Sequence, residues 1–109
     1  YGPAVLTDRP SVRIKRLEDE SIEVIRLAEP VLHANRNTVD VNYTLFIRDK
    51  VSGKLDEIRE THCMRYFFKP EIEFFLLQTG FKLEGFSEYL TGEELGFNTW
   101  NACFVGRKK

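Results

Sequence analysis

Apolar and polar residues alternate along much of the first two thirds of the chain, a pattern typical of β-strands with two unlike faces. From Ser11 to Leu17, Val12 and Ile14 alternate with basic residues, which predicts a half-buried strand. A second strand is predicted from Ile22 onward. Its apolar positions change parity at residues 24–25, which indicates a β-bulge, and Pro30 indicates an edge, a bulge or a kink.

Residues 38–48 give the cleanest alternation in the chain. One face carries the apolar residues Val39, Val41, Tyr43, Leu45 and Ile47. A turn at residues 49–54, which contains Gly53, predicts a hairpin, and the return strand is predicted from Leu55 to Phe67. Three or four successive strands with short connections predict an antiparallel meander.

One long helix is predicted over residues 70–79. Pro70 suits the first helical position, although Lys69 before it is a poor N-cap. Apolar residues recur at helical spacing on a face that we expect to be buried, and others broaden it: Ile72, Phe75, Leu76 and Thr79, with Phe74 and Leu77. Gly80 predicts an ending in the left-handed conformation.

Two closing strands are predicted at about residues 81–87 and 98–106, joined by a loop rich in Gly and Glu. In the second strand, Trp100 and Phe104 lie on one face and Cys103 and Val105 on the other. Both faces are therefore largely apolar, which suits a strand covered on both sides. The predicted fold class is α+β: an antiparallel meander of three to four strands, one main helix and a closing β-hairpin.

Length and composition favour a single domain over residues 1–109, with an irregular lead-in at 1–10, the meander at 11–67, and the helix with two closing strands at 68–109. The 16 basic and 17 acidic side chains leave a net charge of −1, which gives no electrostatic case for nucleic acid or an anionic membrane. No apolar run approaches the ~18 residues of a membrane span, and no signal-peptide pattern is present, so we expect a cytoplasmic protein. Position 1 is Tyr rather than Met, so we expect the chain to be part of a longer protein, with processing of the N-terminus as the alternative.

The two histidines and two cysteines are the first candidates for chemistry. His62 is a candidate general base for a substrate amine or hydroxyl, and the alternative is a histidine hydrogen-bonded at a sheet corner. His33 is expected to be exposed to solvent. Cys63 and Cys103 are expected to be reduced, partly buried thiols, and the spacing of the four residues favours no metal site.

An aromatic corner after the return strand holds the other candidates. Arg65 lies among aromatic residues, where a cation needs a partner: either an acidic neighbour or an anionic or sugar substrate. Tyr66 and Trp100 are candidates for stacking on a sugar, with ordinary core packing as the alternative. Glu93 and its acidic neighbour fit a solvated loop better than acid–base catalysis.

The stretch from His62 to Phe81 resembles a pattern found late in class I S-adenosylmethionine-dependent methyltransferases. It has the Arg-aromatic-Phe corner, then Pro-Glu, a short helix, Gly-Phe and two closing strands. The last residues, 102–108, are similar to the final strand of these enzymes, which often ends in a basic residue. The region before His62 resembles the antiparallel insertion of the sugar N-methyltransferase branch, so the resemblance covers roughly residues 10–109.

The resemblance implies a C-terminal, substrate-side region whose meander forms a lid or wall over a small-molecule methyl acceptor. It implies that the helix and the closing strands complete the sheet of a parent enzyme that uses S-adenosylmethionine. His62, Arg65, Tyr66 and Trp100 would then be substrate-binding residues. No Gly-x-Gly occurs in the chain, so we expect this fragment to bind no cofactor and to be inactive alone.

Two other functions remain open from the sequence: a stand-alone module that binds a small ligand, and an interaction domain that pairs through an exposed sheet edge. The last strand also bears on assembly, because both its faces need cover and one helix covers one face. We therefore expect a symmetric homodimer, with a covered monomer as the alternative.

Overall fold

A computed structural model describes residues 1–8 and 10–109 of the chain. The elements described in these ranges are α1 (Ala4–Thr7), β1 (Arg13–Glu18), β2 (Ile22–His33), β3 (Thr38–Asp49), β4 (Leu55–Arg65), α2 (Lys69–Gln78), β5 (Phe81–Glu88) and β6 (Ala102–Lys108). The first four strands form an antiparallel sheet in the order β1-β2-β3-β4, and β5 pairs with β6 in a two-stranded sheet. The predicted α+β class, with its meander, main helix and closing hairpin, is confirmed.

The chain divides into two compact units. The sheet unit contains residues 10–64, and the helix unit contains residues 65–109 with the described residues of 1–9. The prediction of a single domain over 1–109 stays a prediction. The lead-in at 1–10 contains a one-turn helix, α1, in which Ala4 and Val5 are buried, so its description as irregular was wrong there. Arg9 lies outside the described residues.

The central strands of the sheet unit pair more regularly than the sequence indicated. β2 and β3 pair residue by residue from Ile22↔Asp49 to His33↔Thr38, and these described pairs show no shift, so the predicted bulge was wrong. The apolar positions change parity at residues 24–25 because both faces of β2 carry apolar side chains. Pro30 is tolerated in β2 because the pairing with β1 ends at Ala28. At the proline, β2 is therefore an edge strand, where a missing N–H breaks no hydrogen bond of the sheet.

The buried residues of the sheet unit lie on one face, at one end of the sheet. They are Ala28, Val39 and Val41, which the β2–β3 register places on the same side. Every residue of β1 and β4 is exposed. β1 was expected to be half buried, and that prediction was wrong: alternation identifies a strand but does not show that either face has a neighbour.

The helix of the second unit begins one residue earlier than predicted. Phe68 is the N-cap, and the Glu71 carboxylate accepts a hydrogen bond from the Phe68 N–H at 3.3 Å, as the N3 glutamate of a capping box does. At the other end, Gly80 has φ +82° and its N–H donates to the Leu77 carbonyl at 3.3 Å. The predicted left-handed ending is confirmed.

The burial predicted for α2 was wrong. None of its ten residues, all of them described, is buried, and Phe74 is 57% exposed. The side that does pack is marked by Leu76, which lies against Gly106 of β6 so closely that an added Cβ would be 2.9 Å from its Cδ2 atom. The hairpin therefore covers one side of the helix.

The last strand begins at Ala102 rather than at residue 98. The backbone ahead of it is used elsewhere, because Gly2 N–H donates to the Trp100 carbonyl at 2.6 Å and Ala4 N–H donates to the Thr99 carbonyl at 3.0 Å. Val105, expected to be covered, is 51% exposed. Within the described residues, neither helix is long and apolar enough to cross a membrane.

Candidate functional site

An apolar cleft of about 330 Å³ opens on the helix unit. Five of the side chains that line it are phenylalanines, and we call it the aromatic cleft. Its lining residues are Gly2, Pro3, Phe67, Phe68, Lys69, Pro70, Phe86, Glu94, Leu95, Gly96, Phe97, Ala102 and Phe104. A volume of this size suits a small ligand or part of a larger one.

The hairpin supplies one wall of the aromatic cleft. Phe86 of β5 pairs directly with Phe104 of β6, so the two rings lie on the same face of the hairpin. Ala102 is two residues before Phe104 and lies on that face as well. The corner between β4 and α2 supplies a second wall through Phe67 and Phe68, which belong to the aromatic run noted in the sequence.

The loop from Glu94 to Phe97 forms a third wall, and a buried threonine fixes it. Thr99 is 1% exposed, and its Oγ1 accepts a hydrogen bond from Gly96 N–H at 3.0 Å and donates to Glu88 Oε2 at 3.2 Å. Thr99 is not among the candidate residues identified from the sequence. No local signal marks it, since its importance comes from partners in β5 and in the loop.

The charged groups of the aromatic cleft are Lys69 and Glu94. Lys69 Nζ lies 4.7 Å from the centroid of the Phe86 ring, within cation–π range, and 3.5 Å from Glu73 Oε2. The described lining residues include no His, Cys or Ser. The aromatic cleft is therefore suited to holding an apolar or planar group, and its described lining offers no hydroxyl, thiol or imidazole.

Three of the four residues singled out from the sequence, Arg65, Tyr66 and Trp100, contact residues that line this cleft but do not line it themselves. Tyr66 is buried and stacks on Phe68, with ring centroids 5.6 Å apart and planes at 29°. The Trp100 carbonyl accepts a hydrogen bond from the Gly2 N–H. The Trp100 and Tyr1 rings pack edge to face, with their centroids 6.1 Å apart. Both side chains thus have aromatic neighbours within the chain.

Arg65 is exposed, and its guanidinium carbon lies 4.6 Å from the centroid of the Phe67 ring. No ion pair of Arg65 is found among the residues that the structure describes. An exposed guanidinium over a ring needs no acidic partner, because water and the ring face both stabilise the cation.

His62 belongs to the sheet unit, apart from the other three. Its ring is exposed and packs edge-on against Tyr43 at 5.0 Å between centroids, and Nε2 lies 3.2 Å from Glu60 Oε2. A carboxylate at this distance orients an imidazole and supports a base at the other nitrogen. The roles of His62, Arg65, Tyr66 and Trp100 in substrate binding stay predictions.

A second polar cluster in the sheet unit was not anticipated. His33, expected to be exposed, is half buried, with Nε2 2.7 Å from Asp40 Oδ2 and Nδ1 3.3 Å from Arg36 Nη2. Hydrogen bonds from His33 and from the Cys63 thiol hold the pKa of Asp40 below its usual value, and the bond to Asp40 raises the pKa of Cys63. Cys63 and Cys103 are both free and exposed, so the expectation of partly buried thiols was wrong.

Only the strand register reveals this cluster, because it joins the end of β2, the following turn, β3 and β4. Among the described residues, no group of three or more His, Cys, Asp and Glu side chains is arranged to hold a metal ion.

No protein-family model matches the chain, and no curated protein matches it. Solved structures do. An S-adenosylmethionine-dependent methyltransferase from Clostridium acetobutylicum aligns over 98% of this chain and 41% of its own, with a TM-score of 0.70 and 12% identity. The S-adenosylmethionine-bound structure of CalS10, an amino pentose methyltransferase of calicheamicin biosynthesis from Micromonospora echinaspora, aligns over 90% and 36%, with a TM-score of 0.66 and 15% identity.

The CcbJ methyltransferase from Streptomyces caelestis aligns over 99% of this chain and 43% of its own, with a TM-score of 0.62 and 11% identity. The chain thus spans about two fifths of the length of each of these structures. At 11–15% identity the likeness establishes the fold: the chain is folded like part of an S-adenosylmethionine-dependent methyltransferase.

Proposed function

We propose that this chain is the C-terminal, substrate-side region of a class I S-adenosylmethionine-dependent methyltransferase, and that β1–β4 form a lid or wall over the methyl acceptor. The observation that carries the proposal is the fold likeness, in which 90–99% of this chain matches 36–43% of three methyltransferases. The aromatic corner, the helix ending at Gly80 and the closing hairpin support it from the sequence.

The uncovered faces of the helix unit support the same proposal. Cys103 and Val105 of β6 are exposed on one face of the hairpin, and Phe74, Phe75 and Leu77 are exposed on α2. In a complete α/β fold such faces are covered by neighbouring strands and helices. We propose that the remainder of the parent enzyme covers them.

The described residues do not fit the cofactor. Dinucleotide and adenosine sites of this kind use a Gly-rich turn that leads from a strand into the N-terminus of a helix. Here α2 is entered from β4 through three bulky aromatic residues and no glycine: Tyr66, Phe67 and Phe68. We propose that the parent binds S-adenosylmethionine with residues outside this chain.

We propose a small molecule as methyl acceptor. His62 with Glu60, and separately Arg65, are exposed polar groups that suit contact with an amine, a sugar hydroxyl or a small carboxylate. CalS10 acts on an amino pentose, which makes an amino sugar the first acceptor to test. The two free cysteines fit a cytoplasmic location for the parent.

A second candidate function is a module that binds a small apolar ligand without catalysis. The aromatic cleft of about 330 Å³ favours it. The two functions differ in what surrounds the chain: the first requires a cofactor-binding half in the same protein and the second does not.

Calorimetry with S-adenosylmethionine separates them. We expect no saturable binding by the 109-residue chain, and micromolar binding with methyl transfer by a longer protein whose gene encodes a Gly-rich strand–turn–helix before Tyr1. Micromolar binding by the chain alone would contradict the proposal, and so would a gene without that motif.

Within the longer protein, His62→Ala is expected to lower kcat/KM by about 10²-fold if His62 is the base, with cofactor affinity unchanged. Lys54→Ala, on the exposed hairpin, is the matched control and is expected to leave both values unchanged.

A further inference from the structure

β4 is an outer strand of the four-stranded sheet. Charged side chains protect many sheet edges, and five of the eleven residues of β4 are charged, but these charges are of both signs and can therefore complement a second copy of the strand. β4 is eleven residues long, every residue is exposed, and its sequence contains neither Pro nor Gly. Long regular edges of this kind attract a further strand. The other edge, β1, is short and rich in Lys and Arg, which is a usual form of protection.

We propose that a second copy of this chain pairs with β4, antiparallel and centred on Thr61, so that the two four-stranded sheets become one continuous sheet with two-fold symmetry. This proposal rests on β4 alone and does not depend on the methyltransferase proposal.

Symmetry restricts which residues can be opposite one another. Alternate residues of a strand point to opposite faces of the sheet, and a two-fold axis perpendicular to the sheet does not exchange the two faces. Residues of even number in one copy therefore lie opposite residues of even number in the other. With the axis at Thr61, Glu60 lies opposite His62 and Ile58 lies opposite Met64, each pair occurring twice. Ile58 is 43% exposed and Met64 is 40% exposed in the single chain, and the pairing covers both.

The other face is matched as well. With the same axis, Glu57 lies opposite Arg65, again twice, and Arg59 lies opposite Cys63. Opposite charges directly across an antiparallel pair stabilise it, and like charges destabilise it. Glu57 already lies 2.8 Å from Arg59 within the chain, so the second Arg completes an Arg–Glu–Arg row.

The other centres between residues 58 and 62 all bring like charges together. A centre on Glu60 opposes two carboxylates on the axis, and a centre on Arg59 opposes two guanidiniums. A centre on His62 sets Arg59 against Arg65 twice, and a centre at position 58 sets Asp56 against Glu60 twice. Among these five centres, the proposed register is the one that opposes no like charges, and it gains the Glu57–Arg65 pair twice.

The register can be tested by disulfide cross-linking between Cys63 of one copy and a cysteine introduced in the other. Directly opposed residues of an antiparallel pair are close enough for a disulfide. In a Cys103→Ser background at pH 8.5, Arg59→Cys is expected to form a cross-linked dimer on mild oxidation, at least about tenfold faster than Glu57→Cys. Glu57→Cys is the matched control, because position 57 opposes Cys63 only in the register centred on residue 60. Adding Cys63→Ser to Arg59→Cys should abolish the cross-link.

A charge exchange tests the same pairing without covalent chemistry. Glu57→Arg and Arg65→Glu are each expected to raise the dimer dissociation constant by about tenfold or more in sedimentation velocity. The double variant, and an equimolar mixture of the two single variants, are expected to restore the dimer. Glu60→Lys, which would set a lysine opposite His62 twice, replaces Arg65→Glu if circular dichroism shows that variant to be unfolded.

Several results would overturn the proposal. These are a monomer at high micromolar concentration, faster cross-linking by Glu57→Cys than by Arg59→Cys, and a dimer that both charge variants leave unchanged. Assemblies that grow with concentration would instead indicate head-to-tail pairing of β4 with β1, and would overturn it too.

Discussion

Replacing Gly2 by alanine is expected to destabilise the helix unit through a backbone clash. A Cβ at this position would lie 2.5 Å from the carbonyl oxygen of Thr99. That oxygen already accepts the Ala4 N–H at 3.0 Å, and the Gly2 N–H donates to the Trp100 carbonyl at 2.6 Å. The segment at Gly2–Ala4 and the segment at Thr99–Trp100 are therefore held together by hydrogen bonds on both sides of the new methyl group.

The size of the effect follows from these distances. The carbonyl must retreat by about 0.5 Å to reach the 3.0 Å below which real Cβ contacts essentially do not occur. Overpacking of this kind costs about 1–3 kcal/mol, and weakening one backbone hydrogen bond costs about 0.5–1.5 kcal/mol. Alanine restricts the unfolded chain and returns about 0.4–1 kcal/mol. We expect a net loss of about 1–2 kcal/mol in the free energy of unfolding.

Urea unfolding followed by the fluorescence of Trp100, the one tryptophan in the chain, is the assay. With a slope of about 2 kcal/mol/M, the midpoint of Gly2→Ala should fall by about 0.5–1 M. Gly106→Ala is the matched control. Its new methyl group would lie 2.9 Å from Leu76 Cδ2, the end of a flexible side chain, and a smaller change of about 0.5 kcal/mol is expected. An unchanged midpoint for Gly2→Ala, or a larger loss at Gly106, would refute the reasoning.

Two further substitutions test the ends of elements. Gly80→Val is expected to lower the free energy of unfolding by about 1–2 kcal/mol, because Gly80 has φ +82°, and Gly80→Asn should lose less in the same urea unfolding assay. Asp49 accepts hydrogen bonds from the N–H groups of Ser52 and Val51, and these bonds lower the pKa of its carboxyl. The carboxylate therefore stabilises the folded chain at pH values above its ordinary pKa. This stabilisation is lost as the pH falls through the pKa that Asp49 has in the folded chain. Asp49→Asn should therefore unfold at lower urea than the native chain at pH 7 and at nearly the same urea near pH 2, and an equal difference at both pH values would show the carboxylate to be unimportant.

The strands of the sheet and the ending of α2 were predictable because their signals are local. Alternation with a period of two is set by the pleat itself, and Gly80 marks a conformation that other residues avoid. Burial was not predictable in the same way. Ile14 and Phe74 occupy the apolar positions of well-formed elements and are nevertheless exposed, because burial depends on which other element packs against that face.

In the candidate site, too, residues with a local sequence signal were predicted and residues that depend on distant partners were missed. The aromatic corner gave Arg65 and Tyr66, which support the lining of the cleft, because a run of aromatic residues is visible in the sequence. Gly2 and Thr99 were missed, although together they fix the loop that forms one wall. Their contact joins positions almost a full chain length apart, and no window of sequence contains both.

The hydrogen bonds from Gly2 and Ala4 to residues 99 and 100 also bear on the order in which a nascent chain folds. Residues 10–64 are contiguous and their strands are joined by short turns, so every partner in the sheet is available as soon as β4 has left the ribosome. The residues of α1 are made before the sheet, but their partners at residues 99 and 100 are made after it. The sheet can therefore form while the helix unit is still incomplete, and residues 2 and 4 find their hydrogen-bond partners only after residue 100 has been made.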